Sequence, residues 1–184
     1  VLQHGHIPEL CVMDDEMDVT VYKLSHEHPI GDQIILQDLD GDTREVLDQM
    51  LANSVYTNGG YFIGSNGDWP LPAFGIPHLS GRILRQEEYS FLSQNSDSNT
   101  LYSQLAEQRL LLRPGFKYGC KWRAYETEIN AEHAPWLVQP VELAADTWEG
   151  VCLSVRLAEG VNKRWLCAID ANSSWKFLNI QRSQ

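Results

Sequence analysis

The sequence predicts a mixed α/β (α+β) protein: a small N-terminal α/β domain, then a C-terminal domain whose central mixed β-sheet is flanked by helices. Three observations predict it. Residues 115–140, GFKYGCKWRAYETEINAEHAPWLVQP, read as two strands joined by a polar loop, and alternation along the first puts Lys121, Arg123 and Tyr125 on one face. Residues 148–159 carry Val151, Cys152, Val155 and Ala158 at helical spacing, with Gly160 where a helix ends. The polar run SQNSDSN at 93–99 has the composition of a linker between the two halves.

Taken in order, the chain opens with a strand from Ile7, a polar turn DDEMD at 14–18 and an alternating strand VTVYKL at 19–24. Without gaps, LCVMDDEMDVTVYKL at 10–24 lies over LCAIDANSSWKFLNI at 166–180, which reads either as a chance agreement of two ordinary hairpins or, the reading favoured here, as an internal repeat of the closing hairpin. Residues 1–25 are therefore expected to be the terminal hairpin of a preceding domain of the same kind. Standing alone it would leave long unpaired edges, so it is expected to complete the sheet of an upstream polypeptide. The first residue is Val1, not Met, so the chain is expected to be part of a longer product.

Residues 26–97 form the small domain. A strand is expected at 34–36, and a helix at 43–52 with Thr43 as N-cap and Val46, Leu47 and Met50 on one face. Asn58, Gly59 and Gly60 turn the chain into an apolar strand at 61–63, a Gly- and Pro-rich loop covers 65–77, and 80–92 is expected to be helical. Residues 98–184 form the last domain. Leu101, Leu105 and Leu112 predict a helix over 101–112 ended by Pro114 and Gly115, followed by strands at 121–125 and 135–141. After the helix at 148–159, strands at 164–169 and 176–180 finish a sheet.

With 184 residues and 43% hydrophobic content the chain is long enough for one or two compact domains, and no apolar run is long enough to cross a bilayer. Cys11, Cys120, Cys152 and Cys167 show no CxxC spacing, and three lie in apolar patterns, as reduced thiols of a cytoplasmic protein would. The formal net charge of −11 argues against a protein that coats nucleic acid. The average hides a division: residues 1–97 carry 4 Lys and Arg against 16 Asp and Glu, whereas residues 98–184 carry 10 against 9. A local basic site is therefore compatible with the second half, and the acidic half suits a protein-binding or solubilising surface.

Taken singly, the polar residues of the second half say little. A Tyr at a strand end is usually packing, a His in a polar loop is usually solvated, and a Lys after a helix is usually a surface charge. Position is what joins Tyr125, His133 and Lys163, because each stands at the end of an element whose partners must pack side by side. Earlier in the chain, DLDGD at 38–42 lacks the closing acid of a calcium loop, and His26 and His28 are two apart rather than at helical zinc spacing. Both read as solvated loops.

The glycine-rich GFKYG at 115–119, the strand ending in Tyr125, HAPWLV at 133–138 and RLAEGVNK at 156–163 before an apolar strand together resemble the tRNA-splicing (tRNA-intron) endonuclease family. The likeness covers most of the last half of the chain. The resemblance implies a catalytic-type subunit, of archaeal origin, that needs neither metal nor cofactor and carries Tyr125, His133 and Lys163 as its triad. RNA would be cut by its own 2′-hydroxyl, with Tyr125 as base, His133 as acid and Lys163 offsetting the phosphate charge. Arg156 and Arg182 would stack on a bulged base across a dimer, a role that guanidinium planes suit. The implied partners are precursor tRNA and an upstream or separate catalytic-type domain, in a dimer or tetramer-like assembly. Two rivals remain: a structural subunit of the same assembly, whose members lack the triad, and an acidic interaction module, favoured only by net charge.

Overall fold

A computed structural model describes residues 8–64, 68–94, 100–129, 133–172 and 174–183. Eleven strands and four α-helices among them form a seven-stranded mixed sheet and a four-stranded antiparallel sheet. The expected α+β class is therefore the one observed.

The small sheet contains β3 (Val55–Thr57), β4 (Gly60–Gly64), β5 (Ile76–His78) and β6 (Gly81–Leu84), in the order β3-β4-β6-β5. Helix α1 (Gly41–Ala52) packs on it and is capped by Asp40, whose carboxylate accepts from Thr43 N, so Thr43 lies inside the helix and is not its cap. Leu47 and Leu51 are its buried residues, whereas Val46 is exposed. The expected strand at 34–36 is absent: Leu36–Asp38 is a 3-10 turn, held by Asp38 accepting from Ile35 N. The expected helix at 80–92 divides into β6 and α2 (Gln86–Leu92). A Cβ at Gly81 would stand 2.0 Å from Ile63 O, so this residue admits the close pairing of β6 with β4 that ends helical continuity.

The large sheet runs β1 (Glu9–Met13), β2 (Val19–Glu27), β11 (Trp175–Arg182), β10 (Arg164–Asp170), β9 (Trp136–Pro140), β8 (Trp122–Tyr125), β7 (Leu111–Pro114). Among the described residues only β9 and β10 pair in parallel, with α4 (Trp148–Glu159) as their crossover. The expected long helix at 101–112 stops early: α3 spans Leu101–Glu107, Arg109 takes a positive φ of 63°, and the chain leaves as β7. The Arg109 side chain is then anchored on Asp38 at 2.6 Å.

Two apolar clusters hold the layers. The larger joins Leu47, Leu51 and Phe91 of the first half to Leu105, Trp122 and Leu166 of the second, across the expected linker, whose residues 95–99 lie outside those described. The smaller lies under α4, where Cys152, Val155 and Ala158 meet Leu137, Trp165, Cys167, Ile180 and Tyr22.

The opening hairpin is a correction. β2 pairs with β1 on one side and antiparallel with this chain's β11 on the other, so 19–24 does not complete the sheet of an upstream polypeptide. The pairing keeps a trace of the repeat. Ile180 faces Leu24, and Leu178–His26 and Arg182–Tyr22 flank that pair symmetrically, as a pseudo-twofold axis through Ile180 and Leu24 requires. The ungapped overlay fails one strand further out. Met13–Val19 closes the first hairpin around residues 14–18 and Asp170–Trp175 closes the second around 171–174, so the first turn is one residue longer. That slip moves the shared Leu-Cys pair to opposite faces: Leu166 lies in the larger cluster, but Leu10 packs on the smaller.

Candidate active site

Tyr125 ends β8 and is 7% exposed. Its neighbour Glu126 is pinned twice, its carboxylate accepting from Trp136 Nε1 at 2.8 Å and its carbonyl from Asp32 N at 2.9 Å. Beside it Gly31 donates to Gln108 O, and a Cβ there would stand 2.1 Å from Arg109 O and 2.8 Å from Glu126 O. The segment leading into the small domain thus clamps the strand end that carries Tyr125.

The glycine-rich turn before β8 has a matching physical basis. A Cβ on Gly115 would meet Cys120 Sγ at 2.3 Å, and Gly119 takes a φ of 65° that closes the 3-10 turn Phe116–Tyr118. This turn sets the Tyr118 ring beside two cations. Arg123 Cζ is 5.8 Å from its centroid and Lys163 Nζ is 5.6 Å from it. Arg123 is also 5.8 Å from the Tyr125 centroid.

Lys163 leaves α4 through Asn162, which has a positive φ of 55°, and its N–H returns to Ala158 O at 2.9 Å. At the next residue Arg164 N bonds Pro135 O at 2.8 Å, where the parallel pair β9 and β10 begins. The Lys163 side chain, 9% exposed, donates to Ala134 O at 2.6 Å. Burial first, and then the positive charge of Arg123, hold the Lys163 ammonium below the usual lysine range. His133 directly precedes Ala134 and is exposed.

Lys163 is thus fixed to the backbone next to His133, and a run of ring contacts through Tyr118 and Arg123 leads from it to Tyr125. A cleft of about 680 Å³ opens beside Lys163, lined also by Glu159, Asn162, Arg164 and Arg182. Arg182 is steadied there by its N–H donating to Glu159 Oε1 at 2.8 Å. Arg156 does not line that cleft. It faces a separate cavity of about 370 Å³ between α4 and the opening hairpin, together with Asp14, Asp15, Asp18 and Glu149. Both arginines still bear on Tyr22, whose phenol burial, aided by Cys152, pushes up to about 12 against their opposing charge.

Tyr118 and Arg123 were not singled out as site residues by the sequence reading. The alternation that puts Arg123 on the Tyr125 face was a usable signal; the position of Tyr118 depends on the turn and had none. The DLDGD residues have structural roles, since Asp38 binds Arg109 and Asp40 caps α1.

A phenol, an imidazole and a confined ammonium at neighbouring strand ends are groups that can transfer protons and offset the charge of a phosphate ester. Comparison with known proteins agrees. Residues 97–177 match the catalytic C-terminal domain of tRNA intron endonucleases. The tRNA-splicing endonuclease of Picrophilus torridus is 30% identical over 138 residues, covering 73% of this chain and 46% of the relative. That of Thermoplasma volcanium is 28% identical over 191 residues, covering 97% and 64%, and that of Methanopyrus kandleri is 33% identical over 70 residues, covering 38% and 39%. The chain belongs to the tRNA intron endonuclease family. It spans 46% and 64% of the length of the first two of these relatives.

Proposed function

We propose that this chain carries the catalytic part of an endoribonuclease that excises introns from precursor tRNA, cutting at the two strands of a bulge-helix-bulge. The observation that carries this reading is the Lys163 ammonium, nearly enclosed and bonded to Ala134 O one residue from His133. In the reaction the 2′-oxygen attacks the adjacent phosphorus as Tyr125 takes its proton. The bond to the 5′-oxygen breaks as His133 gives that oxygen a proton, leaving a 2′,3′-cyclic phosphate and a 5′-hydroxyl. Lys163 offsets the extra charge on the phosphate oxygens between these steps. The base, the acid and the cation are all side chains, so the reading is one of metal-independent transesterification.

Arg156 and Arg182 are proposed to hold unpaired bases of the bulge, with a second copy completing a two-site assembly. Residues 26–97 serve in this reading as the small domain that steadies the catalytic residues 98–184, through the clamp at Gly31 and Glu126. The test uses the full chain and a precursor tRNA in EDTA. Two cuts are expected, with 5′-ends that polynucleotide kinase labels directly and 3′-ends that resist periodate. Absence of cutting until a divalent metal is added would reject the mechanism.

A further inference from the structure

Lys163 and Arg123 share a feature that the triad does not account for. In a chain of net charge −11, neither meets a carboxylate among the described residues, where the ion pairs join other side chains. Lys163 is 9% exposed and, among the described residues, donates to a neutral carbonyl, and Arg123 is half-buried with its Nε donating to Pro114 O at 3.1 Å. Confined cations are costly without a counter-charge, and two of them beside one ring, with no carboxylate paired to either among the described residues, mark a place where an anion completes the site. The Nε bond fixes the plane of the guanidinium and leaves its two terminal nitrogens for a bidentate contact, the geometry that phosphate favours.

We infer that Arg123 is a second phosphate-binding cation of the active site, holding with Lys163 the RNA phosphate at the cut from beside the Tyr118 ring. The inference rests on the proposed RNA cleavage. It adds a residue outside the Tyr125, His133 and Lys163 set, and it gives Tyr118 a task as the platform against which both cations lie. Burial and the nearby Arg123 charge both act against the Lys163 ammonium, a tension that a bound phosphate relieves.

The test compares Arg123→Gln, which removes the charge, with Arg123→Lys, which keeps it but loses the fork. The probe is a bulge-helix-bulge precursor tRNA, either cleavable or made inert by 2′-deoxy nucleotides at the cut sites. Arg123→Gln is expected to slow single-turnover cleavage about 10²-fold. It should also lower the slope of log K against log salt for the inert RNA by about 0.7 to 0.9, one phosphate contact. Arg123→Lys is expected to keep the wild-type slope and to lose less than about tenfold in rate. If both variants lose rate equally while the slope stays at the wild-type value, Arg123 only stacks the tyrosines and the inference is wrong. Should Arg123→Gln fail to fold, Arg123→Met is read in its place, and a wild-type salt slope in that folded variant overturns the inference. If the wild-type chain binds but does not cut, the functional reading fails and the salt slopes still decide the fate of Arg123.

Discussion

His133 and Lys163 present opposite environments within two residues of the same backbone contact. His133 is exposed, while Lys163 is enclosed and its amine held on Ala134 O. For His133→Ala the expected result is a cleavage rate lower by about 10² or more with RNA affinity unchanged, since a proton donor acts mainly in the transition state. Single-turnover kinetics and binding of uncleavable RNA measure the two separately; normal turnover would remove His133 from the mechanism. Arg156 belongs to a different surface, where it shares a cavity with four carboxylates. Arg156→Ala is expected to cost about 1 to 3 kcal/mol on bulged RNA and little on fully paired RNA. Equal losses on both would assign it to phosphate alone.

Among the elements, the clamp around Gly31 and the pairing of β2 with β11 make distinct demands. A methyl at Gly31 would press on Arg109 O and Glu126 O, so Gly31→Ala is expected to destabilise by about 1 to 3 kcal/mol and to slow cleavage by shifting the end of β8. Thermal unfolding beside single-turnover rates checks both; an unaltered melting temperature would show that the clamp yields. The hairpin seam buries Tyr22, whose phenol is pushed up from 10.0 to about 12, while burial also pushes the Cys167 thiol from 9.0 to about 11. The protonated forms are favoured in the folded state. Their stabilisation is therefore complete below pH 9 and is lost as the unfolded chain ionises first, between pH 9 and about 12. Urea unfolding at stepped pH should show this decline, and Tyr22→Phe should flatten its part between pH 10 and about 12. A Tyr22→Phe curve parallel to the wild type over that range would place the alkaline loss elsewhere.

Across the whole molecule, the acid is concentrated in the first half and the cations of the site lie in the second, which lets an acidic protein keep a basic cleft. β1 ends the large sheet with one unpaired edge among the described residues, and the pseudo-twofold through Ile180 and Leu24 stops there. A strand edge of this kind suits further pairing within an assembly. Light scattering is expected to give a mass of at least two copies, with two cuts per precursor tRNA. A single-copy mass with both cuts intact would oppose the proposed assembly.

Much of the second half was legible in the sequence because its signals are local. Alternation marked β8, the apolar spacing closed by Gly160 marked α4, and motif spacing placed Tyr125, His133 and Lys163 at element ends. Where sequence reasoning failed, a distant partner decided the outcome. Residues 101–112 have helical spacing, yet an Arg109 turn anchored on Asp38 and the pairing of β7 with β8 convert the end to strand. Residues 80–92 read as one helix, but Ile63 O requires a backbone without a side chain at Gly81. The hairpin repeat was visible as text, but a match of letters cannot register a one-residue difference in turn length, which reverses the face of every side chain beyond it. The site's pair of cations belongs to this second group. Tyr118 and Arg123 share one stretch of chain but Lys163 lies in a later motif, and only the closure of the Gly115 turn and the parallel pairing of β9 with β10 set both cations beside the Tyr118 ring.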